Sequence, residues 1–78
     1  MARPALRHGL SSEDFLPVAE SPTLVITVSE DPLVEMRLGF DRNARALEIG
    51  CELRATGWVI FHADKITKTY LVLLKEAQ

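Results

Sequence analysis

The sequence predicts an α+β domain: one antiparallel four-stranded sheet, with a short N-terminal helix and a C-terminal helix packed on one face of it. Three observations predict it. Four apolar segments of strand length follow one another with only turn residues between them, a helix-start signature precedes them, and a segment with helical spacing follows. Connections this short join antiparallel neighbours, and helices placed before and after a run of strands belong to the α+β class. Residues 1–78 form a single domain, with residues 1–9 an unpatterned arm.

At Leu10-Ser11-Ser12-Glu13-Asp14-Phe15 a helix begins. Ser11 is placed to accept a hydrogen bond from the amide three residues on, the acids suit the positive end of the helix dipole, and Leu10 and Phe15 flank the cap. Pro17 lacks an amide hydrogen, so one or two turns are expected before Ser21-Pro22. Leu24-Val25-Ile26-Thr27-Val28 is a compact β-branched strand closed by Ser29-Glu30-Asp31-Pro32. Val34, Met36, Leu38 and Phe40 then alternate with Glu35, Arg37, Gly39 and Asp41, the period of a half-buried strand. After a turn at residues 41–45, Leu47, Ile49, Cys51 and Leu53 alternate with Glu48, Gly50, Glu52 and Arg54. Trp58 to Ala63 is apolar at nearly every position, which reads as a central strand. From Thr67 to Lys75, Tyr70, Leu71 and Leu74 fall at helical spacing behind a Thr67 cap; an edge strand is the alternative, and a short helix is favoured.

Composition narrows the function classes. The apolar fraction of 47% and charged fraction of 26% are those of a folded globular chain. One cysteine allows no internal disulfide, which suits a reducing compartment, and no apolar run approaches the roughly 18 residues of a membrane span. A cytoplasmic protein is expected, with no membrane association, metal or cofactor. Nine basic residues against eleven acidic ones give a net charge of −2, which opposes a simple nucleic-acid binder. The distribution is uneven. Five acids and no base lie between Glu13 and Asp31, whereas three bases and two acids follow Thr56, beside His62.

Arg7-His8-Gly9-Leu10-Ser11 with Glu13-Asp14, then Met36-Arg37-Leu38-Gly39-Phe40-Asp41 leading to Arg45-Ala46-Leu47-Glu48, and finally Val59-Ile60-Phe61-His62-Ala63-Asp64-Lys65 together resemble the BrnT-like small toxins of bacterial type II toxin–antitoxin systems, in the RelE/ParE-like superfamily. The resemblance implies a metal-independent ribonuclease held inactive by a cognate antitoxin protein. It departs from that family in having only six residues before Arg7, and in the two lysines and one acid of Asp64 to Thr69.

Metal-free RNA cleavage needs an acid, a base and cationic donors for the growing phosphate charge. With Met36, Leu38 and Phe40 turned toward the helix, Arg37 faces the open side. With Val59, Phe61 and Ala63 also turned inward, His62 joins it there. His62, Arg37 and Lys65 are then the candidate catalytic residues, and Arg7, His8 and Lys68 the candidate RNA contacts. Plainer readings stand beside these: His62 as a structural residue at a strand end, Arg7-His8-Gly9 as the entry into the helix, Arg37 paired with Glu35, Glu48 or Glu52, Lys65 and Lys68 as solvated charges, and Cys51 as core. The same parity puts Trp58 and Ile60 on the open face, a surface for an antitoxin or a second copy of the chain. The opposite register buries Trp58, Ile60 and His62 and exposes Val59 and Phe61. A non-enzymatic protein-interaction module of the same fold is the alternative to the toxin.

Overall fold

The computed structural model describes residues 10–78. Helix α1 spans Ser12–Glu20, strands β1 to β4 span Leu24–Glu30, Leu33–Phe40, Ala46–Arg54 and Gly57–Lys65, and helix α2 spans Lys68–Ala77. The strands form one antiparallel sheet in the order β1-β2-β3-β4. The α+β class and the helical C-terminal segment are therefore as the sequence predicts. The last strand, expected to be central, is an edge strand.

At the start of α1 the Asp14 carboxylate accepts the Ser11 N–H at 3.1 Å and the Ser11 hydroxyl at 3.2 Å. The Asp14 amide donates to the Ser11 carbonyl oxygen at 2.9 Å, and the Ser11 and Asp14 side chains form the capping box around it. The helix also outlasts its proline, with Pro17 inside it and Phe15, Val18 and Ala19 buried around it. Burying apolar side chains at roughly 1.5–3 kcal/mol each offsets the ~3 kcal/mol of an interior proline.

Register decides where the helices go. Gly39 pairs with Leu47, Arg37 with Ile49 and Glu35 with Cys51, so the apolar side of β3 shares its face with Arg37 and not with Met36 and Leu38. Leu10, Phe15, Val18 and Ala19 pack there on Leu47, Ile49, Cys51 and Ala63. Gly39 lets the helix approach: a Cβ at this position would lie 3.2 Å from Val18 Cγ1. Leu38, pointing the other way, is fully buried outside this cluster, as is Leu74 of α2, which lies against β2. The two helices thus cover opposite faces and not one. The apolar sides of β2 and β3, each correctly read alone, are out of phase across the ladder, and each side needs its own cover.

Candidate functional site

Strand β4 changes phase in its middle. Gly50 pairs with His62 but Cys51 pairs with Ile60, which leaves Phe61 as an extra residue, a β-bulge. Phe61 lies against Gly50, where a Cβ would come within 2.8 Å of the ring. Residues before the bulge keep the parity of Cys51, and His62 takes that of Gly50. Trp58 and Ile60 therefore stand on the α1 face with Arg37, while His62 stands on the α2 face. The expected meeting of Arg37 and His62 on one surface does not occur, because the ladder sets Arg37 on the same face as Ile49 and Ala63 and so opposite His62; the bulge parts His62 from Trp58 and Ile60 as well.

On the α2 face, His62 Nε2 lies 2.8 Å from Glu48 Oε2. The other Glu48 oxygen accepts the Thr67 N–H at 2.7 Å, at the start of α2. Glu48 is nearly buried, whereas the His62 side chain keeps 27% of its surface. This carboxylate joins β3, β4 and α2 through two hydrogen bonds, and it holds the imidazole in one orientation. Lys65 and Lys68 are exposed at the junction of β4 and α2. Arg7 and His8 lie outside the described residues.

On the α1 face, Arg37 Nη1 donates to the Ala19 carbonyl oxygen at 2.7 Å, and Nε to Glu35 Oε1 at 3.1 Å. The last carbonyls of a helix lack intrahelical partners, and a cation suits that end of the dipole. With no basic residue in the last turn of α1, the sheet supplies one. The Arg37 guanidinium also stacks over the Trp58 ring, 4.4 Å from its centroid. Of the plain readings of Arg37, the Glu35 pair is present; the Trp58 stack and the helix contact had no signal in spacing.

Part of this face is open for a reason of length. Helix α1, with 9 residues, is about 13 Å long, whereas the 9 residues of β3 reach about 30 Å. Beyond the helix Leu53 and Trp58, cross-strand partners, are both 42% exposed, and Ile60 packs against the edge of the core. Leu53 was not among the sequence candidates, although its place at the end of the β3 alternation, past the reach of a short helix, is a signal that could have found it. Cys51 is buried under this face, and burial pushes its thiol pKa up, with Arg37 opposing and Glu35 adding to the shift.

A third cluster holds α1 to the β2–β3 turn. Arg45 pairs with Asp41 at 2.8 Å and with Asp14 at 3.4 Å, and Arg42 reaches Glu13 at 3.3 Å and Asp14 at 3.6 Å. The Ser11 backbone N–H holds the Asp14 carboxyl below its usual range, against desolvation and with help from the Ser11 hydroxyl, Arg45 and Arg42. Burial pushes Asp41 up, but the N–H groups of Arg45 and Asn43 and the Arg45 side chain outweigh it, so its pKa too is lowered.

Among the described residues no group of three or more His, Cys, Asp and Glu side chains could hold a metal ion, and no helix is long and apolar enough to cross a membrane. No family model, curated protein or solved structure matches the chain.

Proposed function

We propose that the chain is a protein-interaction module whose contact surface is the open end of the α1 face. The observation that carries this reading is the Trp58 ring, 42% exposed yet stacked on a guanidinium that is itself bonded to α1 and to Glu35. An aromatic ring already held in place loses little freedom on binding, and exposed Trp beside Leu, with the Arg37–Glu35 pair on the same face, has the make-up of an interface hot spot. A cognate antitoxin-like protein or a second copy of the chain is the partner class.

The test is titration against the product of the neighbouring reading frame, with sedimentation for self-association. Trp58→Ala should weaken the complex by about 2 kcal/mol or more, and Trp58→Phe by less. Complexes equally tight with all three proteins overturn the reading.

The His62–Glu48 hydrogen bond favours a second reading, the BrnT-like metal-independent ribonuclease, with His62 as acid or base, Glu48 orienting it, and Lys65 and Lys68 as phosphate contacts. Arg37, on the other face, would take no part. RNA cleavage in EDTA that falls about a hundredfold in folded His62→Gln supports this reading; intact RNA after incubation with the folded wild-type chain removes it.

A further inference from the structure

We propose that the outer edge of β1 accepts an extended segment of another protein, apolar in its middle and basic at both ends, as a fifth strand of the sheet. This surface is separate from the Trp58 face, which lies on β4 at the opposite edge. Among the described residues β1 has one neighbour, β2. Its outer backbone N–H and C=O groups thus face away from the sheet, a template for another strand.

The two edges are treated differently. Both edge strands end in charge and carry one irregularity, but β4 is interrupted in its middle by the bulge at Phe61, a device that discourages strand addition, whereas that of β1 lies near its end. Strand β1 has neither charge nor proline from Leu24 to Ser29. Its ladder with β2 stays regular from Leu24 to Thr27 and shifts only at Val28.

Charge selects the occupant. Glu13, Asp14, Glu35, Asp41, Glu48 and Glu52 each have a cationic or imidazole partner. Glu20, just before β1, and Glu30 and Asp31, at its far end, are exposed and have no ion-pair partner among the described residues. A second copy, paired in either direction, would set these acids against one another, and like charges placed opposite across strands are destabilising. A segment with lysine or arginine at each end finds a complementary site instead.

The probe is a fluorescein-labelled peptide of alternating valine and threonine with paired lysines at each end, followed by anisotropy at low salt. Saturable binding is expected, weakened at least about tenfold when glutamates replace the lysines and when salt screens the charges. Methylating alternate peptide amide nitrogens, so that they cannot donate to the strand, should abolish it. The exposed charge reversals Glu20→Lys and Glu30→Lys, made together, should reverse the preference between the two peptides, while Trp58→Ala leaves it unchanged. No binding of the lysine peptide, equal binding of both peptides, or binding that survives every pattern of N-methylation overturns the proposal, as does a dimer paired through β1.

Discussion

Ala44 occupies the one position, among the described non-glycine residues, with a positive φ, at 62° in the β2–β3 turn. The turn is built by Asp41, whose carboxylate accepts the N–H groups of Asn43 and Arg45 at 2.8 Å each. A left-handed backbone costs a residue with a Cβ about 1–2 kcal/mol, part of which glycine returns through its freer unfolded chain. Ala44→Gly should therefore stabilise the fold by roughly 0.5–1 kcal/mol and raise the melting temperature by roughly 2–8 °C. An unchanged or lower midpoint in thermal denaturation would contradict this. At this scale the sequence is legible where partners are close in the chain: Arg37 with Glu35 and the turn at residues 41–45 were readable, whereas Arg37 on Ala19 and Trp58 depends on how the sheet folds under the helix.

Among the elements, α2 depends on a residue outside it. Its cap residue Thr67 makes no side-chain capping bond, and the Glu48 carboxylate accepts the Thr67 N–H instead. Glu48→Ala leaves that amide and His62 without their acceptor, so a cost of about 1–3 kcal/mol is expected, concentrated in α2. Glu48→Gln, which keeps one acceptor oxygen, should cost less. Hydrogen exchange checks it: α2 amides that keep their protection in Glu48→Ala would show that the carboxylate does not secure the helix. Element identity and order were readable because β2 and β3 alternate cleanly and α2 has helical spacing. Their mutual phase was not, since nothing in either alternation says that Leu38 sits opposite Glu48, and nothing in Trp58 to Ala63 marks Phe61 as the bulged residue.

Taken whole, the molecule is a sheet with a thin apolar layer on each side, and its ends are tied by charge. Asp14 and Asp41 have pKa values below the 3.8 of a free aspartate, so each contributes stability that is fully present above about pH 4 and is lost as pH falls through the lowered value. The urea midpoint should fall as the solution is acidified below about pH 4, and the fall should be shallower in Asp41→Asn. A midpoint as steeply acid-sensitive in that variant as in the wild type would assign the loss to other groups. The α+β class needed only the order of the elements, but the candidate surfaces needed the register: parity along the strands grouped Trp58, Ile60 and Arg37 on one face, and it wrongly added His62 and passed over Leu53. One consequence of the Arg37 stack is optical. Trp58 is the only tryptophan in the chain, so the indole fluorescence of the whole protein arises at the open face, beside a cation anchored to α1. Its colour and intensity report directly on whether that helix is seated and whether water still reaches the ring, without any label being attached.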